Sequence, residues 1–172
     1  MVGQTGMKKG KTGKRSKFTP GGYDLRVKRS FAGLGLYAGE DIPKGVCVIE
    51  YVGRTLAPGE DETSRSKYLF EISKNKTIDG PPRINKAGYI NHCCKPNCEP
   101  EIRKQRIFIM TTRKVKEGEE LSYDYGEEYC LDHCVPCRCP AKKHLYDEKA
   151  KKLKEKKAKE KAQREGKKSK KN

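Results

Sequence analysis

Three short segments carry side chains of types and spacings that could do chemistry. Glu119-Glu120-Leu121-Ser122-Tyr123-Asp124-Tyr125-Gly126 sets two tyrosines at strand period, so both can face one side. Two phenols on one face can line an aromatic slot with hydroxyls at its end. Such a slot suits an aliphatic stem with a cationic head, through dispersion and cation–π attraction; a pair of ordinary core tyrosines has the same spacing. Asn91-His92-Cys93-Cys94-Lys95-Pro96-Asn97-Cys98 packs an amide, an imidazole, thiols and a turn proline into one short stretch. Asn91 and His92 could hydrogen-bond a polar ligand, and a capped loop around a buried, satisfied histidine fits the residues equally. Gly33-Leu34-Gly35-Leu36 resembles a dinucleotide loop, but that fingerprint needs a third glycine at position 38 and a helix after it. Position 38 is Ala, and Pro43-Lys44-Gly45 makes a turn where the helix should run. What remains is a backbone bare enough for close approach by a ligand, or simply a turn.

The elements that must position these segments read as β. Val46–Val52, Tyr68–Ile72 and Arg106–Thr112 are short runs rich in β-branched and aromatic residues. Turn residues separate them at Pro43-Lys44-Gly45, Ala57-Pro58-Gly59, Gly80-Pro81-Pro82 and Glu117-Gly118. No long amphipathic helix lies between them. The expectation is one mostly-β domain flanked by basic tails. Residues 1–20, rich in Gly, Lys, Ser and Thr, are expected to be disordered. Residues 147–172 place Glu148–Lys152, Glu155–Lys159 and Glu160–Arg164 at helical spacing but have few apolar positions, predicting a solvated, fraying helix.

Charge is placed unevenly. Of the formal +17, six cations and no acid fall in the first 18 residues, and residues 140–172 carry a net +10, leaving +1 for the rest. A near-neutral folded part with basic tails argues against a uniformly basic nucleic-acid-reading domain; the tails serve tethering to a polyanion or simple solubility. No apolar run approaches the roughly 20 residues of a membrane span, and no secretory signal is visible. Eight cysteines in that setting predict an intracellular protein with reduced thiols or metal ligands.

Taken together, Gly-Leu-Gly (33–35), Glu-Tyr-Val-Gly (50–53), Asn-His-x-x-x-Pro-Asn-Cys (91–98) and Glu-Leu-Ser-Tyr-Asp-Tyr-Gly (120–126) occur in an order and at separations that resemble the SET-domain family of lysine methyltransferases. The resemblance implies short curved antiparallel sheets with a knot-like threaded C-terminal segment. It divides the folded part into a SET domain (22–129) and a post-SET-like cysteine-rich segment (130–146). It implies an S-adenosylmethionine-dependent transfer of methyl groups to a protein lysine. By similarity, the backbone of Ala32, Gly33, Leu34 and Gly35 lies against the cofactor, and Asn91 and His92 hold its two ends. Tyr125 sits where the amine meets the methyl, so it touches cofactor and substrate alike; Tyr68 and Tyr123 line the lysine channel. Tyrosine at the position of Tyr123 tends to restrict members of the family to mono- or dimethylation.

The chain departs from the family pattern in places. Gly88 stands where an arginine is usual and Cys93 where a serine is usual. Many relatives bind one structural zinc through the Pro-Asn-Cys cysteine and a later Cys-x-Cys-x4-Cys. The resemblance therefore assigns zinc to Cys98, Cys137, Cys139 and His144, with Cys134 or Cys130 as a substitute fourth ligand and an eroded, metal-free motif as the alternative. The expected substrate is a histone tail or another lysine-rich protein, in a bacterial cytoplasm or on chromatin in a nucleus. The competing reading is a non-catalytic adaptor that holds nucleic acid through its tails.

Overall fold

The computed structural model describes residues 16–168. Strands β1 (Leu25–Ser30) and β2 (Gly33–Ala38) form an antiparallel hairpin. β3 (Cys47–Tyr51) is followed by β4 (Arg54–Thr55), the one-turn helix α1 (Glu60–Thr63), β5 (Leu69–Ser73) and β6 (Lys76–Asp79). A 3-10 turn (Lys86–Tyr89) leads into β7 (Asn91–His92), and β8 (Cys98–Arg103), β9 (Arg106–Thr111) and β10 (Ser122–Tyr123) come next. Helices α2 (Glu127–His133) and α3 (Asp147–Lys168) end the described chain. The strands associate as small sheets with orders β1-β2, β3-β9-β8 and β4-β6-β5, all antiparallel, and a parallel pair β7-β10. This is the expected mostly-β architecture of short antiparallel sheets, with one parallel exception.

The three predicted strand runs appear as β3, β5 and β9. The Gly-Leu-Gly stretch, expected as a turn or bare backbone, is strand β2. Its Leu36 and Ala38 are buried in the core, and full pairing with β1 outweighs the poor strand propensity of glycine. The common core gathers Leu36, Ile42, Ile90, Ile109, Val115 and Leu121 where the sheets meet. Val115 and Ile42 also bond backbone to backbone in both directions, so the turn after β9 closes onto the turn before β3.

Two polar features fix the loops that lead to the cleft. Asn85 is buried, accepts from the Val52 and Ala87 amides and donates to the Gly80 carbonyl at 3.0 Å. Gly53 must be glycine, because a Cβ there would collide with the Asp79 carbonyl where β4 crosses β6. Among the described residues no buried side-chain nitrogen or oxygen lacks a partner, which is what a stable small core requires.

The segment expected to be disordered up to residue 20 gives way earlier. Phe18 packs against Phe108 with ring centroids 5.4 Å apart, and Lys17 pairs with Glu101. The remainder of that expectation, residues 1–15, lies outside the described residues. At the other end α3 runs as predicted, but its first turn is anchored. Ala150 is buried, and Asp147 accepts from the Cys137 amide at 3.0 Å. No helix among the described residues is long and apolar enough to cross a membrane.

Candidate active site and metal centre

The parallel pairing of β7 with β10 brings Asn91 beside Ser122 and His92 beside Tyr123. Asn97 fastens the two segments: its Oδ1 accepts from the Ser122 amide at 2.9 Å, and its Nδ2 donates to the Glu120 carbonyl at 2.8 Å. The Cys93 amide adds a bond to the Tyr123 carbonyl. The turn residues between His92 and Cys98 thus hold the two chemistry-bearing segments together.

Asn91 spends its amide on the scaffold. Its Nδ2 donates to the Leu34 carbonyl at 2.9 Å and to Glu120 at 2.7 Å. Glu120 also accepts from the Ser30 hydroxyl at 2.7 Å and from Tyr37 at 3.1 Å. One carboxylate therefore ties the β1–β2 hairpin to both β7 and the segment leading into β10. A Cβ at Gly35 would strike that carboxylate, which is why glycine stands there. No role for Glu120 follows from sequence reasoning; its only signal is a charged residue directly before an apolar strand entry.

A cavity of about 990 Å³ opens between these elements. Ala32, Leu34 and Asn91 line one part of it, and Tyr68, Tyr123 and Tyr125 another. The tyrosine rings are arranged edge to face or tilted, as their quadrupoles favour. Tyr123 and Tyr125 lie 5.0 Å apart by centroids, and Tyr125 meets Tyr129 of α2 at 5.3 Å. Tyr129 is a wall residue that the sequence reading did not single out; its hydroxyl donates to the Lys67 carbonyl at 3.2 Å and so pins α2 over the cleft. The Tyr125 hydroxyl donates to the Ile90 carbonyl at 2.6 Å, and its amide donates to His92 Nδ1 at 3.3 Å. Burial pushes the Tyr123 and Tyr125 phenols well above their ordinary range, so both stay neutral. A neutral Tyr125 whose proton is committed to Ile90 presents oxygen lone pairs to the cavity.

The cysteines do not group as the resemblance assigned them. Cys98 lies on β8, paired with Thr111, and its side chain is fully buried in the main core. There burial pushes its thiol up to about 12, far from a metal-binding thiolate. The sulfur that joins Cys137, Cys139 and His144 belongs to Cys94, and the four donor atoms lie within 4.8 Å of one another. The Lys95-Pro96-Asn97 turn separates the two candidates, sending Cys94 outward and Cys98 inward. Cys94 and Cys137 sulfurs are 3.7 Å apart, and Cys139 Sγ lies 3.6 Å from His144 Nδ1. Backbone amides of Leu145 and Cys94 point at the Cys94 and Cys139 sulfurs. Burial alone would raise the Cys139 thiol, but these surroundings bring it down to about 7. Three thiols and an imidazole at such separations match a tetrahedral zinc site, whose bonds of about 2.0–2.3 Å place neighbouring donors roughly 3.3–3.8 Å apart.

Comparison with known proteins adds relatives to this geometry. A family model described as the SET domain matches residues 33–126. Human "Histone-lysine N-methyltransferase 2D" is 39% identical over 123 residues, covering 63% of this chain and 2% of that protein. "Histone-lysine N-methyltransferase trr" of Drosophila melanogaster is 39% identical over 128 residues, 67% of this chain and 5% of its own. A "Histone-lysine N-methyltransferase, H3 lysine-4 specific" of Chaetomium globosum is 39% identical over 120 residues, 61% and 11% respectively. The chain thus spans a small fraction of the length of these relatives.

Proposed function

The chain belongs to the SET-domain family, and from that premise we propose that it is a protein-lysine methyltransferase using S-adenosylmethionine. The observation that carries the reading is the convergence of Ala32, Leu34, Asn91 and the tyrosines Tyr68, Tyr123 and Tyr125 on one cavity, which Gly33, Gly35 and His92 do not line. That space is of the size that small-molecule sites occupy. When bound, the cofactor supplies a methyl group made electrophilic by a sulfonium centre.

The residues then have these roles. Ala32 and Leu34 offer the cofactor a close backbone surface, held in place by the Asn91–Glu120 bonds. The tyrosine walls take up the aliphatic stem of a lysine and hold its cation before deprotonation. Lysine is almost wholly protonated near neutral pH; desolvation inside the cavity lowers its pKa, and the proton leaves to bulk water before transfer. Neither Tyr123 nor Tyr125 serves as the base, because burial keeps both phenols neutral. Tyr125 orients the neutral amine by accepting from it, so that its lone pair points along the transfer axis. Tyr123 lines the cavity, and its hydroxyl has no protein partner among the described residues, which supports a product limited to mono- or dimethyl-lysine. Cys94, Cys137, Cys139 and His144 hold a structural zinc that clamps the chain after α2 beside His92. The named relatives support a histone tail as substrate.

The test is transfer of labelled methyl from the cofactor to a panel of histones and whole-cell proteins. Label on lysine of one or more of them is the expected result; no label on any protein sinks the reading.

A further inference from the structure

The mechanism makes no use of the side chains of Asp124 and Cys130, yet they gather on the far side of the His92 ring. His92 Nδ1, an Asp124 carboxylate oxygen and Cys130 Sγ lie within 4.8 Å of one another, with His92 and Cys130 buried. Nδ1 is 3.5 Å from Cys130 Sγ and 3.4 Å from Asp124 Oδ1. These are ligand-to-ligand separations of a tetrahedral zinc site, and they match those in the Cys94 group. The three donors come from different elements: β7, the residue after β10, and α2.

The outer partners are also in place. A metal-bound histidine holds its remaining proton on the other nitrogen and donates it outward. Here His92 Nε2 faces Cys94 Sγ at 3.3 Å, a sulfur of the first group. Asp124 is oriented from both sides, accepting from Tyr146 at 2.7 Å and from the Gly126 amide at 3.0 Å. The one contact a cation at Nδ1 would displace is the 3.3 Å bond from the Tyr125 amide.

We propose that His92, Asp124 and Cys130 hold a second divalent cation of the zinc class, joined to the first group through the His92 ring. The donor set is one imidazole nitrogen, one carboxylate and one thiolate, all of them zinc ligands, with the fourth position left to water. The centre would place a fixed cation directly behind the Tyr125 backbone, making α2 part of a two-metal clamp. It does not depend on the transfer reaction, and its readout is metal content alone.

Elemental analysis and native mass spectrometry of the full chain prepared with zinc provide the test. The expected result is two zinc ions per chain, falling to one in the C130S variant. One ion or fewer in the unsubstituted chain overturns the proposal, as do two ions that survive the substitution. If the variant does not fold, cobalt titration of the unsubstituted chain decides: saturation at two equivalents supports the second centre, and saturation at one removes it.

Discussion

The Tyr125 hydroxyl donates its hydrogen bond to the Ile90 carbonyl 2.6 Å away, so its oxygen can only accept from whatever occupies the cavity. Tyr125→Phe removes that acceptor and leaves a buried carbonyl unpaired. We expect kcat to fall by roughly 100-fold, as misaligned transfer does, with a stability loss of about 1–3 kcal/mol; steady-state kinetics and urea unfolding measure the two. Tyr123 differs, since no group among the described residues bonds its hydroxyl. Tyr123→Phe should leave stability within about 1 kcal/mol of the parent while adding space at the channel end. Mass spectrometry of the product should show a shift toward higher methylation states, and an unchanged distribution would remove Tyr123 from that role. The order of motifs made Asn91, His92 and Tyr125 legible as neighbours in space. It could not show that Cys94 and not Cys98 stands with Cys137, because that depends on which thiol β8 turns inward against β9, a matter of register. Glu120 was illegible for a related reason: its partners Ser30, Tyr37 and Asn91 lie far away in sequence.

Among the elements, the β7–β10 pair is two residues long on each side and cannot stand by itself. Asn97 supplies what the strands lack, and Asn97→Ala would strip partners from the Ser122 amide and the Glu120 carbonyl. The expected cost is at least about 2 kcal/mol, read as a lower urea midpoint at unchanged slope. The strand-rich runs that became β3, β5 and β9 were legible because β-branched and aromatic residues dominate them. The Gly-Leu-Gly strand was not, since its conformation is imposed by β1 and by the burial of Leu36. The chain from α2 to α3 has little regular structure, and the zinc proposed at Cys94, Cys137, Cys139 and His144 would be a main source of its order. Removing metal with a chelator should therefore open this segment to trypsin at Arg138, Lys142 and Lys143 before the core is cut. Equal protection with and without chelator would count against a structural metal.

At the scale of the molecule, charge and fold are kept apart. Past its anchored first turn, α3 is polar on every side and its described side chains are exposed. Deleting residues 154–172 should move the melting temperature by less than about 2 °C and leave turnover on a short free peptide unchanged. Retention on DNA at low salt should weaken with the same deletion. The sequence composition foretold this division; it did not foretell that the start of α3 belongs to the cysteine-rich segment, which only the Asp147 and Ala150 contacts reveal.

Because β7 and β10 lie side by side yet are far apart along the chain, the cleft has a place in time as well as in space. Contacts of such long separation form late, after the loops that span them have closed. A ribosome must release β8, β9 and the turn at Glu117-Gly118 before Asn91 can meet Ser122. A nascent chain ending short of Tyr125 lacks the residue that orients the amine, and recovery of ligand binding after dilution from denaturant should track the slowest refolding phase. Activity in this molecule is thus a certificate that folding has finished.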